Sequence, residues 1–227
     1  MHVDFAGRVC KPGARVVCKV QFHTRIRNMM SDARTPHLYI YDFGVGPESR
    51  AQLLGQAPSI LWFTGLSGAG KSAIADRLEA ALHACGRLTY ILDGDSVRRG
   101  LCKDLGFDKE DRRENVRRVA EVAKLMADAG IVVLVCLISP FHSDRELARL
   151  IAGKHVFAEV YVHAPLAVAE ARDTKGLYRL ARRGAIQNFT GIDSPYERPT
   201  SPDIFIDTCT MSIDEGANMV LDWVSRH

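Results

Sequence analysis

Residues Ile60–Ser72 read ILWFTGLSGAGKS. The run Ile60–Phe63 is apolar and aromatic-rich, as a buried strand is, and it breaks at once into Gly65-Leu66-Ser67-Gly68-Ala69-Gly70-Lys71-Ser72. That string has the spacing of a phosphate-binding loop. After it, Ala73, Ile74, Ala75, Leu78, Ala81 and Leu82 recur at helical spacing, so the loop lies between a strand end and a helix start, as the motif requires. Glycines there let the backbone turn tightly and bring N–H groups to phosphate oxygens at a helix N-terminus. Lys71 adds a point charge for the outer phosphates, and Ser72 offers a hydroxyl to a bridging Mg²⁺. The residues Gly65, Ser67, Gly68, Ala69, Gly70, Lys71, Ser72 and Ala73 form the expected ATP site.

Downstream, Arg87–Leu92 reads as a second buried strand ending in Asp93-Gly94-Asp95. Carboxylates at the C-terminal end of a strand in an α/β sheet stand where ligands bind, so Asp93 and Asp95 are candidates for metal coordination or for accepting a hydroxyl proton. A turn with helix-capping carboxylates is the plainer alternative. Ser96–Cys102 suggests a short helix and Asp108–Ala129 a long one closed by Gly130, with Val116, Val119, Ala120, Ala123 and Leu125–Ala127 on its apolar side. Its arginines Arg112, Arg113, Arg117 and Arg118 surround Asn115, either as a solvated face or as an anion site. Ile131–Ile138 is a continuous apolar strand of the kind buried in a parallel sheet. A helix over 143–151, a strand over 156–163, a helix over 166–172, a last strand over 203–207 and a last helix over 212–225 follow, the last with Met219, Val220 and Trp223 inward. Lys175–Glu197 has no sustained period and suggests a mobile lid. The expected fold is α/β, a three-layer arrangement of the phosphate-loop nucleoside-triphosphate hydrolase type with a central parallel sheet of about five strands.

The chain of 227 residues fits one α/β domain plus an extension, and a net charge of +3 argues for neither nucleic acid nor a membrane surface. No apolar run approaches the roughly 18 residues of a membrane span. The six cysteines have no paired or metal-ligand spacing, which reads as reduced thiols and a cytoplasmic location. Residues 1–57 form an extension of unassigned role, with weak strand-like alternation over Val16–His23 and His37–Phe43 and a Gly- and Pro-punctuated end, and 58–227 form the domain.

Seven strings together resemble one family, the adenylylsulfate kinases: WFTGLSGAGKS (Trp62–Ser72), LDGDSVRRGL (Leu92–Leu101), DLGF (Asp104–Phe107), DRRENVRRVAEVAKL (Asp111–Leu125), ISPF (Ile138–Phe141), RDTKGLY (Arg172–Tyr178) and FTGIDSPYE (Phe189–Glu197). The resemblance implies transfer of the γ-phosphate of ATP, with Mg²⁺, to the 3′-hydroxyl of adenosine 5′-phosphosulfate, the step of sulfate assimilation that makes 3′-phosphoadenosine 5′-phosphosulfate. By the same comparison Arg98, Arg112 and Asn115 match acceptor-binding residues, and Phe107 and Phe189 match the pair that sandwiches the adenine. Lys175 matches the lid lysine, and Ile138 and Thr190 also adjoin the acceptor. Lys71, Asp93, Asp95 and Ser139 are the catalytic set it implies, with Ser72 and Asp93 on the metal. Ser139 matches a serine assigned as a phosphoserine intermediate, but direct in-line transfer needs no such step, so a contact or backbone role is expected. A homodimer and an ATP sulfurylase partner are further implications. The chain departs from the family pattern at Ser96, Ala73 and His142. The rival readings are another small-molecule kinase of this architecture and a non-catalytic nucleotide-binding module of a sulfate-activating complex.

Overall fold

A computed structural model describes residues 43–227. Gly46–His227 is one compact unit, and of the other unit, Met1–Val45, only the last three residues are described. The strand-like stretch Val16–His23, and all of His37–Phe43 except its last residue, therefore lie outside the described residues.

The phosphate-loop reading fixes the centre of the sheet. Strand β1 (Ser59–Thr64) is buried along its whole length and pairs in parallel with β3 (Val132–Cys136) on one side and β4 (Val156–His163) on the other. Strands β2 (Thr89–Asp93) and β5 (Ile204–Asp207) complete the parallel order β2-β3-β1-β4-β5. Alternate side chains of the central strands go to opposite faces, as strand geometry demands. Leu61, Phe63, Leu134 and Val160 pack under helices α2 (Lys71–Ala84) and α8 (Ile213–Val224). Ile60, Trp62, Val133 and Val135 pack under α4 (Lys109–Asp128) and α5 (His142–Ala152). Each fully buried aliphatic side chain contributes about 1.5–3 kcal/mol. The result is the expected three-layer sandwich.

Several boundaries differ from expectation, each for a physical reason. β2 is an edge strand rather than a buried one, with Tyr90 52% exposed. β3 stops at Cys136, short of Ile138: after one last hydrogen bond from Leu137 N to Phe63 O of β1 the chain leaves extended geometry, with Ser139 at φ 38°. The first short helix, α3 (Gly94–Arg99), starts earlier than its apolar pattern suggests, since the Asp93 side chain accepts hydrogen bonds from Asp95 N and Ser96 N and caps it. Leu125 and Met219 face outward, as one more residue of rotation at 100° each takes them off the buried stripe. Helix α6 (Leu166–Arg172) follows Pro165 as expected, and α7 (Leu177–Arg182) lies inside the stretch read as lid. The Gly- and Pro-punctuated end of the extension holds helix α1 (Pro47–Leu54), opened by its proline and closed by Gly55. Gln56, just after it, is buried: its side chain donates to Leu88 O and Gly130 O and accepts from Leu88 N.

Candidate active site

The loops after β1, β2 and β3 open at the carboxyl edge of the sheet, where α/β folds bind ligands. Gly65 starts the first loop because nothing larger fits: a Cβ there would lie 2.2 Å from Val162 O. Gly70, at φ 108°, is the N-cap of α2 and turns the helix N-terminus toward the loop. Tyr178 of α7 donates its hydroxyl to Ser67 O at 2.9 Å, and Arg172 bridges Thr208 to the same loop through Gly68 O.

Lys71 is buried, and its Nζ donates to Gly65 O and Leu66 O at 2.9 Å each. Burial pulls its pKa down to about 8, with Lys175 adding to the effect and Cys136, Asp93 and Asp95 opposing it. Across the loop mouth, Ser72 Oγ donates to Asp93 Oδ1 at 3.1 Å. Asp93 is thus engaged through both oxygens, one by Ser72 and the other by the N-terminus of α3. Asp95 forms an ion pair with Lys175 of the lid segment.

The acceptor-side residues form a second group around Arg112. This arginine is buried on α4; its Nε donates to Phe107 O at 2.9 Å and its Nη2 to Asn188 O at 2.6 Å. One guanidinium therefore ties the two segments that carry Phe107 and Phe189. Phe107 is exposed, with the Arg98 guanidinium 4.2 Å above its ring, while Phe189 is buried edge-on against Tyr178. Arg98 donates to Leu105 O and Gly106 O. Two buried polar atoms here lack a hydrogen-bond partner, Asn115 Nδ2 and Thr190 Oγ1. Buried polar groups are otherwise nearly always bonded, so an unpaired amide on the Arg112 helix and an unpaired hydroxyl next to Phe189 are candidates for contact with a polar ligand.

Ile138 and Ser139 lie where the chain leaves β3. Ile138 O accepts from Thr64 Oγ1 at 2.7 Å. Ser139 is 3% exposed and its Oγ accepts from Trp62 Nε1 at 3.1 Å. A buried serine oxygen occupied by an indole suits a contact role better than a phosphorylated one.

The basic cluster around Asn115 divides. Arg117 and Arg118 are taken by carboxylates, Arg117 by Glu114 and Arg118 by Glu114 and Asp104, which removes them from anion binding. The Asp104 partner, 14 residues away, leaves no local signal in the sequence. Sequence reasoning also missed Asp193, whose carboxylate accepts from Asn188 N and Phe189 N and shapes the Phe189 turn, and Tyr196, whose hydroxyl meets Thr64 Oγ1 at 2.9 Å. Both lie in the FTGIDSPYE string, yet only the fold shows what they touch.

Among the described residues no helix is long and apolar enough to cross a membrane, and Cys85, Cys102, Cys136 and Cys209 are free thiols. The family model described as adenylylsulphate kinase matches residues 57–207. An adenylyl-sulfate kinase of Aeromonas hydrophila is 60% identical over 162 residues, covering 71% of this chain and 82% of its own. A bifunctional enzyme CysN/CysC of Xylella fastidiosa is 58% identical over 173 residues, 76% of this chain and 28% of its own length. The structure of the Mycobacterium tuberculosis APS kinase CysC in complex with AMPPNP and APS superposes with a TM-score of 0.72 at 49% identity, covering 75% of this chain and 99% of that one. With the phosphate loop, the acidic turn and the five-stranded parallel sheet already in place, these matches establish that the chain belongs to the adenylylsulphate kinase family.

Proposed function

We propose that this protein transfers the γ-phosphate of ATP to the 3′-hydroxyl of adenosine 5′-phosphosulfate. The observation that carries the reading is the pairing of a phosphate loop with a second group of residues around Arg112, in which two polar atoms, Asn115 Nδ2 on the same helix and Thr190 Oγ1 beside Phe189, are buried without a partner among the described residues. A nucleotide with a phosphosulfate tail supplies both an anion for Arg112 and acceptors for the unpaired donors. The relative solved with AMPPNP and APS supports the same pair of substrates.

In the proposed reaction the 3′-oxygen forms a bond to the γ-phosphorus as the bond to the β–γ bridging oxygen breaks, releasing ADP. Phosphoryl transfer asks the protein chiefly for alignment and charge compensation. Lys71, the loop N–H groups and the α2 N-terminus compensate the phosphates. Ser72 Oγ and Asp93 Oδ1, two hard oxygens 3.1 Å apart at the loop mouth, fit a hard divalent cation that keeps water and phosphate oxygens as its other ligands. Mg²⁺ held there would supply charge neutralisation for the phosphates. Asp93, bonded through both oxygens, serves that side, and Asp95, whose Oδ2 is held by the lid lysine Lys175, takes the 3′-hydroxyl proton. Phe107 and Phe189 flank the adenine, Arg98 and Arg112 the anionic tail, and Ile138 closes the side of the acceptor. The relative that carries CysN with CysC on one chain supports a sulfurylase partner.

The direct test is turnover of the purified chain with Mg²⁺-ATP and a panel of acceptors. Formation of the 3′-phosphorylated product from adenosine 5′-phosphosulfate is expected. Turnover with a plain nucleoside but none with the phosphosulfate would sink the proposal.

A further inference from the structure

Ser139 has φ 38°, a left-handed conformation that a residue with a Cβ rarely adopts. Such strain persists only where the surroundings over-determine it, and here they do so from several sides. Trp62 Nε1 donates to Ser139 Oγ at 3.1 Å, Thr64 Oγ1 to Ile138 O at 2.7 Å, and Glu197 N to Pro140 O at 2.8 Å. Ser139 O itself accepts from Thr64 Oγ1 at 3.4 Å and, more closely, from Arg145 Nη1 at 2.9 Å, and Arg145 Nε in turn donates to Glu159 Oε1 at 2.6 Å in an ion pair.

That pair is costly where it sits. Arg145 of α5 is 2% exposed and Glu159 of β4 6%, and Arg145 Nη2 has no hydrogen-bond partner among the described residues. A buried ion pair is weak evidence for stability, since apolar residues of the same volume often do as well or better. What the pair achieves that apolar residues cannot is to hold one carbonyl, Ser139 O, in a fixed place. The segment so held stands beside the acidic turn: a Cβ on Gly94 would lie 3.3 Å from Leu137 Cδ2.

We propose that Arg145 and Glu159 are positioning residues for the acceptor. Glu159 fixes the plane of the guanidinium, the guanidinium fixes Ser139 O, and the strained turn sets the height of Ile138 against the Asp93–Asp95 turn. This rests on the reading of the site as an acceptor kinase, in which Ile138 borders the acceptor and the phosphate loop holds ATP. Neither residue touches a substrate or the phosphate loop, so the effect of removing them falls on one substrate and not the other.

The test replaces both with apolar residues of similar size, Arg145→Met together with Glu159→Leu, and compares them with the unaltered chain. The expected result is a chain that still folds, since loss of the donor to Ser139 O is offset by removal of a costly buried ion pair, with an unchanged KM for ATP and a loss of about 10²-fold in kcat/KM for adenosine 5′-phosphosulfate, the scale of a misplacement of about an ångström. Arg145→Lys keeps the charge against Glu159 but loses the fork that reaches Ser139 O, and it gives the same split with a smaller loss. If the double variant does not fold, Arg145→Lys decides alone. Equal losses for both substrates, activity that tracks only the folded fraction, or an unchanged acceptor KM and kcat would overturn the proposal. Failure of the unaltered chain to use the phosphosulfate acceptor would instead overturn the function on which it rests.

Discussion

Nucleotide binding should take up protons, and Lys71 sets how many. Its Nζ is buried among the carbonyl oxygens of Gly65 and Leu66, and desolvation holds its pKa at about 8 against an ordinary 10.5. At pH 8 about half of the molecules carry a neutral lysine; at pH 9 about nine-tenths do, and at pH 7 about one-tenth. Phosphate oxygens brought beside it favour the charged form and raise the pKa again. Binding of ATP should therefore take up about 0.1, 0.5 and 0.9 proton at pH 7, 8 and 9 through this group, and affinity should weaken as pH rises above 8. The sign for folding follows from the same shift. The charged lysine costs the folded state about 3 kcal/mol below pH 8, and the cost is relieved as pH climbs from about 8 toward 10.5. Calorimetric titration with ATP in pairs of buffers that differ in ionisation heat measures the uptake directly. The terminal phosphate of ATP titrates lower, so its contribution shrinks over this range while that of Lys71 grows. Uptake that stayed flat or fell between pH 7 and 9 would refute the assignment of Lys71 as the buried, phosphate-facing charge.

Three further outcomes are expected. Asn115→Leu removes an amide nitrogen that has no partner within the protein, so thermal stability should hold or rise while the acceptor KM rises about tenfold or more, the scale of one lost buried hydrogen bond; calorimetric unfolding and steady-state kinetics check the two halves. Arg112→Lys cannot bridge Phe107 O and Asn188 O at once, and Phe107→Ala removes a stacking face, so both should raise the acceptor KM far more than that for ATP; equal effects on the two substrates would place these residues elsewhere. We place the start of the kinase unit at Gly46; compared with a chain beginning there, one beginning at Pro58 loses the three Gln56 hydrogen bonds and that from Arg50 to Asp128 O. With Leu88 N and Gly130 O stripped of the Gln56 side chain and Leu88 O left with Val132 N alone, a loss of roughly 2–4 kcal/mol is expected, visible as a midpoint several degrees lower; identical melting curves for the two truncations would contradict it.

The fold was legible because its strongest signals are local. A continuous apolar run followed by a glycine loop and a helical period needs no tertiary information, and β1, the loop and α2 lie where that pattern puts them. Edge status is not local, which is why β2 reads as buried although Tyr90 is exposed: Leu88–Leu92 is apolar enough for a central strand, and only the strand order shows that one side is open. Helix α1 escaped notice since it buries none of its own residues and shows no apolar stripe; it is held by Gln56, Arg50 and a Glu48–Lys154 ion pair, all of them contacts across the sequence. The site residues were legible as types and strings, and their partners were not. Nothing in RRENVRR separates Arg112, which bridges two loop carbonyls, from Arg118, which binds Asp104.

That separation has a physical basis that extends beyond α4. The cations proposed to face substrate, Lys71, Arg98 and Arg112, donate to backbone carbonyl oxygens, and burial lowers the pKa of each. Arg117, Arg118 and Arg182 donate to carboxylates, and those hydrogen bonds raise theirs. A carbonyl orients a cation without neutralising it; a carboxylate does both. A cation that is buried and held only by carbonyls keeps a positive potential the fold has not compensated, and an arriving phosphate or sulfate supplies that compensation where water is largely excluded and the interaction is least screened. The arginines tied to Glu114, Asp104 and Glu170 have already made that exchange inside the protein, and they have little left to offer an anion. Partner chemistry therefore divides a basic helix into anchoring and binding charges where charge count and spacing cannot.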